Sequence, residues 1–512
     1  MLIDFSGGLV RTKSPHLLGK GQMSKCQNFL IQDGALKKVG GTSPYNPVSL
    51  GSLGIPFVLR SYHIRADGEI VKRTHVYYDG GLYYGDDLSG TFKLADVTQN
   101  LAKNAIPMYF IMQVAGNSIV YLMTGKDKVR KYDGNGSYKW EECAGDLAST
   151  FDYESGLIHL DRAWYIVKQS SEIGYSESLD PENIADTITI GKDKDSYCVR
   201  FVEGAGETQY VFKNNSIYAL YGRTPSQFNY RKVTDKYGLA SKRGICAVGS
   251  GFIFLNTFDK ELYFFGGTET SIKPMTEDDI RLREIMDLTQ DSINNVDMTV
   301  HRGFFRFAFQ HKESGSLGVP GDFNNCELVY NINDPSPTGL PKWSLIKGSN
   351  VWSYSVWDNY GDDLELLTGR SDVGKIMYHN RTKDFDGVAI EMQVRTAEIT
   401  ASEDKVVRFD GFWVKGKPGS SIKTILFRYF MNGRYSDRGE DNLSVAGETR
   451  TLGEMKISTQ ALFNDRIKPV SNYSRGNSIS FELYQNELGT EIEIYSIAFK
   501  AKERYKIRNS YT

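Results

Sequence analysis

Short apolar runs rich in Tyr and Phe recur along the first half of the chain in pairs, each pair folded over a polar turn. The first is His75 onward (HVYYDGGLYYG), followed by Ile119 (IVYLMTGKDKVRKYDG), Arg162 (RAWYIVKQSSEIGYSES), Gln209 (QYVFKNNSIYALYG) and Phe252 (FIFLNTFDKELYFFGG). Measured at Tyr77, Tyr121, Tyr165, Val211 and Phe254, the steps are 44, 44, 46 and 43 residues. Strand–turn–strand units repeating every 40–50 residues predict a β-propeller, one four-stranded sheet per repeat. Beyond the fifth copy, His301 to Gln310 is expected to pair with Cys326 to Ile332, and Leu364 to Tyr378 forms a further hairpin, giving six to eight blades. Thr276, with Asp279 three residues on and Ile280, Ile285, Met286 and Leu288 following, predicts one capped helix, packed on the rim or, in the alternative, docking a partner.

The pattern changes at both ends. Residues 1–45 carry closely spaced turn signals, Gly7-Gly8, Ser14-Pro15, Asp33-Gly34 and Gly40-Gly41, and read as an extended arm of the kind that wraps a neighbour or completes a ring's last blade. Residues 46–387 are assigned to the propeller. From 388 to 512, longer alternating runs predict a β-sandwich, with strands at Ile390 to Thr400, Val406 to Lys415, Ile422 to Met431, Ile479 to Tyr484 and Ile492 to Lys500. The predicted fold is therefore all-β throughout.

Composition narrows the function classes. A length of 512 residues calls for more than one core. A net charge of −2 provides no overall basic field for wholesale nucleic-acid binding. No run approaches 18 apolar residues and the N-terminus lacks signal-peptide order, so no membrane insertion and synthesis in the cytoplasm are expected. Five scattered cysteines without C-x-x-C spacing predict buried thiols, not a disulfide framework.

Reactive groups are sparse. The seven histidines form no H-x-x-x-H or H-E-x-x-H spacing, and neither a G-x-S-x-G elbow nor a Walker loop occurs; GKDK at Gly125 and Gly191 has Asp where a magnesium-binding hydroxyl belongs. Tyr-Gly-Asp-Asp appears at Tyr84 to Asp87 and Tyr360 to Asp363, but in turn contexts without a third carboxylate. Tyr132 to Gly136 with Trp140 approximates the Asp box of sialidase-like propellers, one place out of register and unrepeated. No catalytic residue, metal site or cofactor is assigned.

Two cationic groups remain as candidates for an interface with another subunit or partner. One is Arg223, Arg231, Lys232, Lys236, Lys242 and Arg243, opposed by Asp235 alone. The other is Lys500, Lys502, Arg504, Lys506 and Arg508, whose period of two places all five on one face of a strand. Such a stripe suits phosphates or an acidic partner; the alternative is a solvated edge strand whose lysines discourage pairing.

Three segments resemble the propeller-bearing tail hub or nozzle proteins of tailed bacteriophages, including podovirus DNA-stabilisation proteins and tail tubular protein B. They are the opening (Phe5 to Leu9, Ser14 to Leu18, Gln27-Asn28, Asp33 to Lys38), the stretch Gln209 to Gly244 with the following GFIFLNTFDKELYFFGG, and Gly369 to Gly387. The resemblance implies a structural virion protein, about six copies of which form a homo-oligomeric ring (a hexamer) continuing the portal–adaptor channel. It implies as partners other copies of the chain, the portal-adaptor protein, other tail proteins (fibre, spike or needle) and double-stranded DNA passing through the channel. Packaged DNA would be retained there and conducted during ejection. Two competing classes remain at this stage: a carbohydrate-binding propeller that attaches to a surface glycan, which predicts exposed aromatic clusters on one disc face, and a propeller enzyme with a carboxylate-lined cleft.

Overall fold

A computed structural model describes residues 2–51, 56–64, 67–85, 92–94, 101–103, 105–134, 139–148, 152–191, 196–312, 324–336, 339, 341–356, 365–370, 374–400, 405–418, 423–432, 438–445, 463–467 and 475–506. Antiparallel pairing divides the central region into seven successive groups of four strands. Blade 1 is Phe57–Ile64, Ile70–Tyr78, Gly81–Gly85 and Lys93–Leu94; blade 2 is Met108–Val114, Asn117–Met123, Arg130–Tyr132 and Glu141–Glu142. Blade 3 comprises Tyr153–His159, Arg162–Val167, Glu172–Glu177 and Asp180–Thr189, and blade 4 comprises Cys198–Glu203, Thr208–Lys213, Ile217–Tyr221 and Asn229–Thr234. Blade 5 follows with Ile245–Val248, Gly251–Leu255, Leu262–Phe265 and Lys273–Pro274, then blade 6 with Asp297–His301, Phe304–Phe309, Cys326–Asn331 and Ser344–Lys347. Blade 7 is Val351–Val356, Leu366–Arg370 and Ile376–Thr382, completed by Gly41–Pro44 from the N-terminus.

The repeat markers Tyr77, Tyr121, Tyr165, Val211 and Phe254 all sit on the second strand of their blades and are at most 4% exposed. Middle strands are covered on both faces, so they read as near-continuous apolar runs. Among the described residues, four hairpins within the blades turn on two residues of positive φ, Asp79-Gly80, Ala115-Gly116, Leu160-Asp161 and Arg302-Gly303, the geometry whose twist matches paired strands.

Each blade packs on the next. Phe57, Tyr77, Leu122 and Trp140 join blades 1 and 2; Phe110, Tyr121, Tyr153 and Tyr165 join 2 and 3. Trp164, Ile173, Phe201 and Val211 fill the third seam, Phe212, Phe254 and Phe265 the fourth, and Ile253, Leu262, Phe305 and Phe307 the fifth. Blade 7 meets blade 1 through Val58, Val76 and Leu367, and Ser353 Oγ accepts from Val58 N (3.2 Å) while donating to Pro56 O (3.1 Å). The wheel is therefore closed.

The N-terminal strand that completes blade 7 runs so close to the chain that a Cβ on Gly41 would lie 1.7 Å from Asp384 O. Gly41→Ala is expected to push this strand off its partner and to lower the thermal midpoint by several degrees, because the obstacle is backbone and cannot rotate away. An unchanged melting curve would show that the strand does not bear on closure.

The rest of the N-terminal segment belongs to the C-terminal sheets. Leu2–Ile3 and Ala35–Lys38 pair with Ile492–Lys506, which also pairs with Lys405–Pro418; Phe29–Gln32 and Phe463–Ile467 extend this sheet at its two ends. Facing it, Gln22–Gln27, Met392–Thr396, Ser478–Gln485, Lys423–Met431 and Arg438–Val445 follow in order. Between the sheets Phe409, Phe412, Phe427, Tyr429, Phe481 and Phe499 interlock, with Phe412 4.8 Å from Tyr429 and 5.1 Å from Phe481. Gln27 also bridges Leu345 on the outer strand of blade 6, so sheet and blade are continuous. Asn28 reinforces this joint: its side chain accepts from Lys347 N (2.7 Å) and donates to Glu391 O (2.7 Å).

Within this core Gln485 is 3% exposed, in line with the inward residues Ile479, Phe481 and Leu483, beside an apolar crevice lined by Phe29, Met392 and Ile494. Neither amide atom of Gln485 has a hydrogen-bond partner. Replacing it with methionine is expected to stabilise the chain by about 1–3 kcal/mol, the cost of an unsatisfied buried amide. A lower urea midpoint for Gln485→Met would refute this.

The capped helix expected from Thr276 is not formed. Thr276 Oγ1 instead donates to the buried Glu261 carboxylate (2.6 Å) and accepts from Leu262 N (3.0 Å). The same carboxylate accepts from Leu282 N (2.8 Å), and Arg281 takes a left-handed conformation (φ 49°), so the segment folds as turns with a 3-10 stretch at Leu282–Glu284. Ile280, Leu282, Ile285 and Met286 are buried, and burial of these residues outweighs local helix preference. A five-residue helix lies further on, Gln290–Asn294, capped by Thr289.

Candidate interaction surfaces

The first strands of the blades face one another around the propeller axis. The cations between Arg223 and Arg243 divide between this axis and the rim. Arg223, Arg231, Lys232 and Lys236 are exposed on or beside the outer strand of blade 4. Lys236 Nζ pairs with Glu269 (3.0 Å), and Lys232 Nζ lies 3.7 Å from Asp235 and 5.8 Å from the Tyr218 ring centroid. Surface pairs of this kind contribute well under 1 kcal/mol, so the group remains available to a partner.

Arg243 is a different matter, and its expected place on an interface is corrected. It is 3% exposed, and its guanidinium donates to Trp352 O (3.1 Å) and Asn295 O (2.9 Å) inside the chain. Its Cζ stands 5.6 Å from the Phe57 ring and 5.4 Å from the Trp352 ring. Asp297 Oδ2 lies 3.7 Å away and also accepts from Tyr354 N (2.8 Å). Burial pulls the Arg243 guanidinium below its ordinary range, with Asp297 opposing. Burial likewise raises the Asp297 carboxyl, while Arg243 and the Tyr354 and Met298 amides hold it down. Lys242 is half-buried beside it; its Nζ reaches Glu154 O on blade 3 (3.4 Å), and Arg200 on blade 4 donates to Lys242 O (2.7 Å). Nothing in the local sequence distinguishes these two cations from the four on the rim; their position just before the first strand of blade 5 does.

At the C-terminus, Lys500 and Lys502 are exposed on Ile492–Lys506, and Lys502 Nζ lies 3.5 Å from Asp410. Val407 pairs with Glu503 and Val406 with Tyr505, so the register shifts across residue 504. That bulge lies in the strand on which the stripe was expected. The side chains of Arg504 and Lys506, and Arg508 entirely, lie outside the described residues, as do Asp86, Asp87 and the Tyr360 to Asp363 tetrad.

Several polar groups that chemistry might use are enclosed in the seams. Ser61 Oγ lies 2.7 Å from His63 Nε2 and 3.1 Å from His75 Nε2, and all three residues are at most 1% exposed. Burial lowers both imidazoles and keeps them neutral. Trp140 of the near-match Asp box donates to His75 Nδ1 (3.4 Å) and stacks on Tyr132 (5.6 Å), packing blade 1 against blade 2. Between blades 6 and 7, Glu327 takes bonds from Arg306 (3.2 Å) and Tyr354 OH (2.7 Å). Burial drives the neighbouring His379 down to about 3, so Arg306 is the cation that holds Glu327 ionised. All five cysteines are free, and among the described residues no group of three or more His, Cys, Asp or Glu is placed to hold a metal. No helix among them is long and apolar enough to cross a membrane.

No protein-family model matches the sequence, and no curated protein is significantly similar to it. Solved structures share a general likeness. The extracellular domain of the putative one component system BT4673 from B. thetaiotaomicron aligns at 10% identity over 94% of this chain and 63% of that one, with a TM-score of 0.43. The corresponding domain described as a putative hybrid two component system aligns at 10% identity over 80% of this chain and 48% of that one, also at 0.43. BBS1N, in complex with ARL6DN, aligns at 12% identity over 68% of this chain and 98% of that one, at 0.39. This chain thus spans 63% and 48% of the two BT4673 structures. At these scores the strand pairing of the chain itself carries the fold assignment.

Proposed function

We propose that this chain is a structural protein of a bacteriophage tail, assembling as a homo-oligomeric ring, a hexamer by resemblance, that continues the portal–adaptor channel. In that place it retains packaged DNA and conducts it during ejection, and its neighbours are the portal-adaptor protein and other tail proteins. The observation that carries the reading is where the three resembling segments fall in the fold. Phe5 to Leu9 and Asp33 to Lys38 lie in the arm that joins the sandwich; Gln209 to Gly244 covers the second to fourth strands of blade 4 and reaches the axis; Gly369 to Gly387 receives the closing strand and leads into the sandwich. The first and third segments lie where propeller and sandwich join, which suits a part whose work is shape.

The charge distribution agrees. A conduit should not grip phosphates, since each one neutralised adds salt-dependent affinity, and a chain of net charge −2 avoids this. A closed ring needs two different complementary surfaces on each subunit. The blade 4 rim and the Lys500–Lys502 strand are the candidates. The glycan-binding alternative asks for clustered exposed aromatics, and among the described side chains Phe258 is the exposed aromatic.

Imaging the purified chain by negative stain, alone and with a head–tail adaptor, tests the proposal: closed rings are expected. A persistent monomer that consumes a polysaccharide would end it. Within a ring-forming system, changing Lys502, Arg504 and Lys506 together to Glu is expected to block assembly while leaving the monomer's unfolding curve in place. Normal rings from that variant would remove the C-terminal strand as a contact.

A further inference from the structure

The sequence Ser241 to Gly244 enters blade 5 at the axis, and its two cations reach residues of five other blades. Arg243 contacts Phe57 of blade 1 and Trp352 of blade 7 and faces Asp297 of blade 6. Lys242 extends to Glu154 of blade 3, and Arg200 of blade 4 closes on the Lys242 carbonyl. Groups from six blades can meet in this way only where the first strands converge.

The hydrogen bonds made there are mostly to neutral carbonyl oxygens: Trp352 O, Asn295 O, Lys242 O and Glu154 O. They satisfy donors without cancelling charge. The charged groups facing Lys242 are Arg243, Arg200 and Lys168, with Glu154 opposing them, and Asp297 faces Arg243 and Arg200. Four cations thus face two carboxylates, and Tyr109 and Cys246 are the other titratable neighbours of Arg200. Burial pushes the Cys246 thiol well up, so it supplies no negative charge. Uncompensated buried charge is costly. Two signs of it appear: Arg243 Nε, in a side chain 3% exposed, has no hydrogen-bond acceptor, and the Lys242 ammonium is depressed to about 8, chiefly by burial, with Glu154 opposing and Arg243, Arg200 and Lys168 adding to the depression.

We propose that Arg200, Lys242 and Arg243 form an axial binding site for a small oxyanion of the phosphate or sulfate class. Guanidinium groups match the tetrahedral oxygens of such an ion through paired N–H donors, and the lysine adds a mobile point charge. A dianion would offset the excess of two positive charges and supply the missing acceptor. The ligand must be small, because Arg243 is enclosed by the blades. The site stands independently of the tail assignment.

The test uses the full chain at pH 7, titrated with sodium sulfate or sodium phosphate against sodium chloride at matched ionic strength. Binding is read by calorimetry and thermal unfolding. Sulfate and phosphate are expected to give a saturable stabilisation that chloride does not. Lys242→Gln should weaken the affinity tenfold or more; having lost an uncompensated ammonium, it should also melt above the wild type in anion-free buffer. Glu154→Gln should bind more tightly. Sulfate keeps its charge across the range, so its affinity should fall as pH rises through about 8, where Lys242 loses its proton. Equal shifts with sulfate and chloride, or unchanged sulfate binding by Lys242→Gln, would overturn the proposal.

Discussion

Arg243→Met is expected to destabilise the folded chain by about 3–5 kcal/mol, the usual cost of removing one partner of a buried ion pair. The loss has two parts. Asp297, 8% exposed, keeps its carboxylate without the guanidinium 3.7 Å away, and the carbonyls of Trp352 and Asn295 lose their donor. A second change, Asp297→Asn, removes the charge and keeps an oxygen for one of the two amides that Asp297 serves, Tyr354 N on Oδ2 or Met298 N on Oδ1. The double variant should therefore recover part of the loss in urea unfolding. The pH dependence has a definite sign. Burial already raises the Asp297 carboxyl above its ordinary value, and without Arg243 it rises further. The native state then takes up its proton at a higher pH than the unfolded chain, so the defect of Arg243→Met should shrink on acidification. A single-variant loss below 1 kcal/mol, or a defect that grows at low pH, would mean that the axial contacts do not hold the blades.

Removal of residues 1–45 should have the larger effect, abolishing the cooperative unfolding transition of both parts. Phe5, Met23, Phe29 and Leu36 are each at most 1% exposed. At about 1.5–3 kcal/mol per buried side chain, these four alone contribute on the order of 6–12 kcal/mol, comparable with the whole stability of a domain. The deletion also exposes the edge of Ile376–Thr382 in blade 7 and strips two strands' worth of pairing from Ile492–Lys506. Loss of near-UV circular dichroism and binding of a hydrophobic dye are the expected readouts. A truncated chain that melted sharply near the parent temperature would show the propeller to be self-sufficient.

The repeat was legible because blade packing imposes it. Every second strand is covered on both faces, so Tyr77, Tyr121, Tyr165, Val211 and Phe254 must be apolar at nearly equal spacing. The Asp79-Gly80 turn was legible for a local reason as well, since positive φ selects glycine and aspartate, whereas Leu160 and Arg302 take positive φ without such a signal. Local rules failed where a distant group competed for the same atoms. Thr276 has the features of a helix cap, yet Glu261 lies 15 residues away in sequence and takes its hydroxyl.

The sequence by itself determined the alternation of strand and turn, the period, and the positions that must be buried, because these follow from short-range geometry and from removal of apolar surface from water. Only the tertiary structure decided that Gly41–Pro44 closes a sheet with residues some 330 positions later, and that Leu2–Ile3 pairs near residue 498. Only it placed Arg243 on the axis while Arg231 stayed on the rim. Strand partners and burial of a charge are set by where the chain returns in space, and backbone hydrogen bonds are the same for every residue, so no local pattern records them.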